Sequence, residues 1–292
     1  LITEGAYDAW VLKTVSEGPG LSLLEAAAAW GATTINDARS IRRVRDKAVA
    51  AAVAGRRGLP FPLTYFAAAP ELLGKVPDEH YPLVVKPVNG SAGRSVYLVH
   101  TPRELAETVS NMAGERFMLA QPYVTNPGVD LKVYNTGGDL YATRQPSPLH
   151  PDIDVPPRNV ALPADLAQLV ADIGAVFGLE LYGVDVVEGP DGWVVVDVND
   201  FPSFHCVPDA VARVATTILR LADHHDRGRP AALARAARVE GTGEGSNAAD
   251  CLASAAARTA GVEGTGEGSD AADCLASAAA LVAVPDDVMA AT

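Results

Sequence analysis

Leu181-Tyr-Gly-Val-Asp185-Val-Val-Glu188-Gly-Pro-Asp-Gly192-Trp-Val-Val-Val196-Asp-Val-Asn199-Asp-Phe-Pro-Ser203 is the stretch whose reading decides the fold. Two apolar runs, Val184 to Glu188 and Val194 to Asn199, flank Gly189-Pro190-Asp191-Gly192, and this spacing predicts a β-hairpin. Side chains alternate along a strand, so Asp197 and Asn199 point one way while Val194, Val196 and Val198 point into a core. Asp185 joins the polar face only if it sits opposite Asp197. A four-residue loop would set it against Val196, whereas a fifth loop residue or a bulge restores the match. Trp193 is therefore expected in the loop, with Asp185, Asp197 and Asn199 forming one patch of oxygen ligands suited to a hard cation such as Mg²⁺. The plain alternative is an ordinary hairpin with a solvent-facing polar side, which has to account for two acids and an amide on one face.

Around this hairpin, 292 residues with 48% apolar side chains allow one large or two modest domains with a buried core. The formal charge of -13 argues against a nucleic-acid partner held by phosphate contacts. It is unevenly placed: from Val239 onward nine acids face Arg258, leaving the body only mildly acidic. Cys206, Cys251 and Cys274 make no metal spacing and leave one cysteine over, which fits a reducing cytoplasm better than a disulfide framework. No apolar run reaches membrane-spanning length, and no signal peptide is visible. The chain opens at Leu1 rather than methionine, so part of an N-terminal domain is expected to be missing.

Working through the chain from its start, Ala6 to Val15 reads as a strand, Ser22 to Trp30 as a helix, and Thr33 to Asp37 as a short strand entering a turn. Ser40 to Ala54 is expected to be one helix, stopped by Gly55 and Gly58. Its Lys47 reads equally as a phosphate contact or as part of a solvated basic face. Leu59 to Tyr65, with Pro60 and Pro62, is an extended linker. Leu83-Val84-Val85-Lys86-Pro87 is a short apolar strand, followed by Asn89-Gly90-Ser91-Ala92-Gly93-Arg94 and a strand from Ser95 to Val99. A glycine-rich turn lets backbone N–H groups approach an anion, with Lys86 as a point charge at the same mouth. The loop is not a Walker A motif, and an ordinary hairpin turn remains open. Further on come a helix at Pro102 to Met112, a buried strand at Phe117 to Val124 and a hairpin of Asp130 to Tyr134 with Asp139 to Arg144. Helices at Asp165 to Phe177 and Asp209 to His225 complete the body. Lys132 and Arg144 on the second hairpin also read as charges that blunt a strand edge.

Taken jointly, Asp46-Lys47, Val84 to Pro87, the glycine loop, Gln121-Pro122-Tyr123, Asp130 to Tyr134, Arg144, Gly183-Val184-Asp185 and Asp197-Val198-Asn199 occur in an order that resembles the ATP-grasp superfamily. The resemblance covers about Ile35 to Ala222 and is nearest to ribosomal-protein glutamate ligases and ATP-grasp inositol polyphosphate kinases. It implies an α+β fold whose two lobes grip ATP. Lys47, Lys86 and the loop residues Gly90, Ser91, Gly93 and Arg94 would contact phosphates, Gln121, Pro122 and Tyr123 would form the adenine hinge, and Asp130 would hold the nucleotide. Arg144 and Lys132 would face the transferred phosphate as catalytic groups, and Asp185, Asp197 and Asn199 would hold Mg²⁺ or Mn²⁺. Two departures stand out: the second metal position, often glutamate in the ligases, is Asp197, and only the last part of the preceding domain is present.

The tail carries a duplication. Val239 to Ser246 recurs as Val262 to Ser269, and Ala248 to Ala257 as Ala271 to Ala280, with Asn247 replaced by Asp270. Each copy joins a glycine-spaced stretch of glutamates, threonine and serine to an alanine-rich segment. This resembles graspetide precursors, whose carboxylates are joined to Thr or Ser by ATP-grasp enzymes; an inert, disordered or partly helical tail is the other reading. The expected organisation is a remnant N-terminal domain over 1–58, a small lobe over 59–124, a large lobe over 125–230 and a linker with repeats over 231–292. The expected activity is carboxylate–amine or carboxylate–hydroxyl ligation through an acyl phosphate, on a small-molecule or peptide carboxylate. Alternatives are a small-molecule kinase on the same fold, a ligase modifying its own repeats, and a nucleotide-binding module without catalysis.

Overall fold

The computed structural model describes residues 7–13, 19–88, 95–112, 117–150, 152–228 and 281–284, all in one compact unit of the chain. The expected repeats and the glycine loop lie outside the described residues.

The N-terminal part pairs β1 (Trp10–Val11) in parallel with β2 (Thr34–Ile35), around α1 (Gly20–Ala29) and α2 (Ala38–Arg45). Leu12, Leu21, Leu24, Ala38 and Ile41 close a small core there. Where one helix was expected from Ser40 to Ala54, the chain makes two. Asp46 takes extended geometry, ψ 100°, and its carboxylate accepts from the N–H groups of Ala48 and Val49 at 3.1 Å each. An aspartate that captures the free N–H groups of a new first turn favours an N-cap over a helix interior. Lys47 thereby becomes the first residue of α3 (Lys47–Arg56).

The small lobe consists of β3 (Thr64–Ala67), β4 (Leu83–Pro87), β5 (Tyr97–Val99), α4 (Pro102–Asn111) and β6 (Met118–Pro122). Thr101 caps α4 by accepting from Glu104 N–H, and Glu104 in turn accepts from His100 N–H at 2.8 Å. One sheet face, with Tyr65, Ala67, Leu83, Val85, Met118 and Ala120, buries against Leu105 and Val109 of α4. The alternate face carries Val84, Lys86 and Gln121.

The large lobe is built from β7 (Val129–Thr136), β8 (Leu140–Pro146), β9 (Arg158–Val160), α5 (Ala164–Phe177), β10 (Leu181–Gly189), β11 (Gly192–Asn199) and α6 (Ala210–Gly228), with strand order β11-β10-β7-β8-β9. Leu166, Val170, Ile173 and Phe177 form the inner stripe of α5 against Val133, Val184, Val186, Val195 and Val198. Gly178 ends α5 in the left-handed conformation, φ 71°. Among the described residues the opposite sheet face is covered at one end, where Tyr134 and Leu181 pack with Phe204, Val207 and Leu221. A last strand, β12 (Leu281–Val284), adds antiparallel to β3 at the edge of the small-lobe sheet, giving β12-β3-β6-β4-β5. These four residues fall within the expected linker-and-repeat segment 231–292, yet Leu-Val-Ala-Val before Pro285 is a short strand pattern.

The deciding hairpin forms, but not by the expected route. Gly189 pairs with Gly192 around Pro190-Asp191, and Trp193 is a strand residue opposite Glu188, with its indole donating to Asp165 at 3.0 Å. The register shifts between Asp185 and Val186, with Asp197 and Val195 as their respective partners. Val196 is therefore the extra residue of a β-bulge, and the bulge rather than a longer loop brings Asp185 opposite Asp197. Among the described residues no helix is long and apolar enough to cross a membrane.

Gly174 tests the packing of α5 on β10. A Cβ there would stand 2.3 Å from the hydroxyl of Tyr182, which donates to Val170 C=O at 2.8 Å and accepts from Asn135 at 3.2 Å. Alanine gains up to about 1 kcal/mol of helix propensity, but overpacking and displaced hydrogen bonds outweigh it. Gly174→Ala is expected to destabilise by about 2 kcal/mol or more in chemical denaturation. An equal or higher stability would show that Tyr182 is not fixed as described.

Candidate active site

The open end of the large sheet faces the small lobe across a cavity of about 850 Å³. Strand alternation puts Asp130 and Lys132 of β7, Asp185 and Val187 of β10, and Asp197 and Asn199 of β11 on this wall. Val84, Lys86 and Gln121 form the facing wall, and Lys47 reaches in from the start of α3. A third side is the segment after β8, including Ser147, Leu149, Ile153 and Val155.

The charged groups are paired. Lys132 Nζ donates to both Asp185 carboxylate oxygens at 2.8 Å, and Asn199 Nδ2 donates to Asp185 Oδ2 at 3.0 Å. Lys47 Nζ meets Asp197 Oδ1 at 2.5 Å. Burial pushes the Asp197 carboxyl up, but the ammoniums of Lys47 and Lys86 outweigh it and hold the group below the usual carboxylate range. Lys86 Nζ donates across the cleft to the carbonyl of the bulged Val196 at 3.0 Å, and burial lowers its pKa to about 8. The bulge thus sets the register of two acids and offers a carbonyl to the opposing lysine.

Asp130 differs from the other acids. It is buried at 6% exposure, and its Oδ1 has no hydrogen-bond partner although the residue lines the cavity. Burial raises its carboxyl to about 6, against a lowering hydrogen bond with Ser147. A buried carboxylate oxygen without a donor is costly. A donor on a molecule in the cavity would satisfy it. Gln121 is held by donating to Thr64 at 2.9 Å, and the N–H of Tyr123 donates to Pro82 C=O at 2.8 Å. Tyr123 and His150 share a hydrogen bond of 2.7 Å, fixing the segment after β8 to the connection between the lobes.

Of the residues singled out in the sequence, Lys47, Lys86, Gln121, Pro122, Tyr123, Asp130, Lys132, Asp185, Asp197 and Asn199 line this one cavity. Gly90, Ser91, Gly93 and Arg94 lie outside the described residues. Arg144 is placed differently from expectation. It pairs with Leu131 and Arg158, one residue out of step with Lys132 and Thr143, so alternation turns it to the α5 side of the sheet, and Gln145 lines the cavity instead. Gln145 to Leu149 resemble the kinase version of the fold without an assigned role in the site, and Ile153, Asp154 and Val155 were not foreseen there; the strand register, which spacing did not fix, is what brings Gln145 to the cavity.

Comparison with known proteins gives concordant findings. The model of the RimK-like ATP-grasp domain matches residues 44–220. A probable alpha-L-glutamate ligase of Thioalkalivibrio sulfidiphilus is 31% identical over 206 residues, covering 65% of this chain and 67% of that protein. The crystal structure of a RimK domain ATP-grasp protein from Sphaerobacter thermophilus superposes with TM-score 0.59 at 23% identity, covering 74% of this chain and 81% of that one. The ATP-grasp ligase PsnB, solved with its precursor peptide and AMPPNP, superposes with TM-score 0.51 at 20% identity, covering 68% and 66%.

Asp130 makes a stability prediction independent of any ligand. Its folded value, about 6 against 3.8, means the folded chain holds an extra proton between those pH values. Its contribution to stability therefore falls as pH rises through that window and stays at its least favourable above it. Asp130→Asn should raise stability near neutral pH by at most ~3 kcal/mol, with the gain fading by about pH 4. Denaturation curves at both pH values check this, and a gain unchanged with pH would contradict the burial of an unpartnered carboxylate.

Proposed function

The chain belongs to the RimK-like ATP-grasp family, a family of ligases, and on that footing we propose that it couples ATP cleavage to ligation of a carboxylate through an acyl phosphate. The observation that carries this is the bulge-set pair Asp185 and Asp197, facing Lys47 and Lys86 across one cleft. Two carboxylates and a carboxamide are an all-oxygen donor set. Such a set supplies few protein ligands, and Mg²⁺ commonly takes its remaining ligands from phosphate and water. Asp185, Asp197 and Asn199 would hold Mg²⁺ or Mn²⁺, which when bound neutralises charge on the phosphates. Lys47 and Lys86 would contact phosphate oxygens, Asp130 Oδ1 would accept from a ribose hydroxyl, and Gln121 to Tyr123 would border the adenine. The glycine loop keeps its assignment to the phosphates on sequence grounds.

A substrate carboxylate oxygen attacks the γ-phosphorus, the bond from phosphorus to the departing ADP oxygen breaks, and the acyl phosphate forms. An amine or hydroxyl then attacks its carbonyl and inorganic phosphate leaves. Lys132, held by Asp185, would steady the charge of the transferred group, a contribution of position and electrostatics. Arg144 has no place in this assignment, since alternation turns it away. The cavity also bears on the kinase alternative. Its cations among the described residues are Lys47, Lys86 and Lys132, two of them paired with acids, and its third wall combines Leu149, Ile153 and Val155 with the acid Asp154. A highly phosphorylated ring needs a more basic wall than this, whereas a carboxylate or peptide does not.

One observation supports a second reading, in which the chain modifies its own repeats. The residues between α6 and β12 contain both repeats, and β12 rejoins the small-lobe sheet, so the candidate substrate is tethered at both ends to the enzyme. Tethering raises effective concentration without requiring affinity.

With ATP, Mg²⁺ and a panel of acids and amines, ADP and inorganic phosphate should appear in equal amounts with the ligated product. A phosphorylated product without free phosphate would identify the kinase instead. Asp197→Asn and Asp185→Asn should each lower kcat at least ~100-fold, consistent with loss of charge stabilisation worth several kcal/mol. For the second reading, ATP treatment of the full chain should lower its mass by one water per linkage formed. An unchanged mass under conditions of ADP release would exclude it.

A further inference from the structure

Two ion pairs join the same two stretches of chain, one inside the cleft and one outside. Inside, Lys47 meets Asp197. Outside, Arg45 Nε and Nη2 donate to Asp200 Oδ1 and Oδ2, both at 3.0 Å, in a two-pronged pair. Residue 45 thus matches 200 and residue 47 matches 197, so the end of α2 and the end of β11 run past each other like the halves of a clasp. Neither Arg45 nor Asp200 lines the cavity, and their side chains are only 12% and 11% exposed.

The end of β11 is gripped further by the N-terminal part. Asn36 Nδ2 donates to the carbonyls of Asp200 and Leu181, and Asn36 Oδ1 accepts from the N–H groups of Glu180 and Leu181 at 2.8 and 3.0 Å. Lys13 Nζ donates to Phe201 and Pro202 carbonyls at 3.1 and 3.2 Å. The residues just after Asn199 are therefore fixed from outside the ATP-grasp lobes.

We infer that Arg45 and Asp200 are positioning residues, which set where Lys47 stands relative to Asp197 and Asn199. This rests on the nucleotide-site reading above. Lysine is a flexible point charge, so the position of its ammonium depends on where its backbone is held. The contact of Lys47 with Asp197 cannot serve that purpose throughout a reaction, because a divalent cation and a polyphosphate compete for both partners. The pair outside the cleft meets no such competition. Its planar fork fixes both direction and distance, and the Asp46 cap carries that placement directly into the first residue of α3. Arg42 is a natural control: it lies on the same helix and pairs with Glu25, but the pair is exposed and faces α1.

The test compares ADP and adenosine binding by calorimetry in the full chain. Adenosine lacks the phosphates that Lys47 would contact. Asp200→Asn should weaken ADP about tenfold, the equivalent of one charge-assisted contact, with adenosine affinity kept within about twofold. Arg45→Lys keeps the charge but loses the fork. It should show a smaller loss of the same kind, and it carries the test if Asp200→Asn fails to fold. Arg42→Ala should leave both affinities unchanged. Parallel loss of ADP and adenosine, or unchanged ADP binding in both clasp variants, would overturn the positioning role. A wild-type chain that binds no ADP would instead overturn the nucleotide reading on which it rests.

Discussion

Val196 stands in β11 as one residue more than β10 can match, and the ladder absorbs it between the Asp185–Asp197 and Val186–Val195 pairs. In an unbulged ladder running from the Gly189–Gly192 turn, Asp185 would meet Val196, and its carboxylate would lie on the sheet face opposite Asp197. The bulge reverses that for every residue beyond it, while the valines on the turn side keep their places against α5. Displacing a carbonyl from a ladder forfeits about 1 kcal/mol of hydrogen bonding. Here the carbonyl of Val196 accepts from Lys86 of the other lobe instead. One irregularity thus aligns the acids and gives the opposing cation a hydrogen-bond partner.

A cleft lined by several acids and three lysines would be unstable if its charges were left alone. Lys132 covers Asp185, Lys47 covers Asp197, and Lys86 rests on a carbonyl, so the buried charge is compensated internally. This compensation suits exchange of partners. On the proposed reading, a divalent cation would take the place of the ammoniums at Asp185 and Asp197, and Lys47 and Lys132 would turn to phosphate oxygens, so that neither set of charges would be left buried and unpaired. Asp130 is the exception. Its unpartnered Oδ1 opposes folding near neutral pH, and a ligand donor would relieve that cost.

Much of this was legible in the sequence because it followed from periodicity and capping. The stripe of α5, the strand Leu83–Pro87 and the presence of both hairpins match what periodicity and turn residues indicate, but in β11 the core residues are Val195 and Val198 rather than Val194, Val196 and Val198, and Val196 lines the cavity. The residues converging on the cleft were recognisable because their order resembles one superfamily. What could not be read was register. Trp193 could belong to loop or strand with equal local justification, and only the packing of Val195 and Val198 on α5 decides between them. Arg144 was lost for the same reason: one residue of slip between β7 and β8 separates the cavity face from the core face. The break at Asp46 was hidden by strong helix formers on both sides. The Arg45–Asp200 pair spans 155 positions and leaves no local trace.

The large sheet shows why such a site is rigid before anything binds. On a single face, Leu181 and Tyr134 pack under α6, and further along the same strands, four residues on in β10 and two residues back in β7, stand the paired Asp185 and Lys132. A strand cannot rotate one side chain out of a core while keeping its neighbours in place, so the apolar end holds the polar end to its register. Gly183, between the two ends, has Pro202 so close that a Cβ would lie 3.1 Å from its Cγ, which brings the segment after Asn199 directly onto the sheet. The wall that carries the acids therefore inherits its geometry from buried packing. The segment from Ser147 to Val155 follows strand β8 instead, fixed by loop contacts such as Tyr123 with His150. On the proposed reading, substrate choice would be free to vary along that segment while the charged wall stayed unchanged, because the two are held by different parts of the fold.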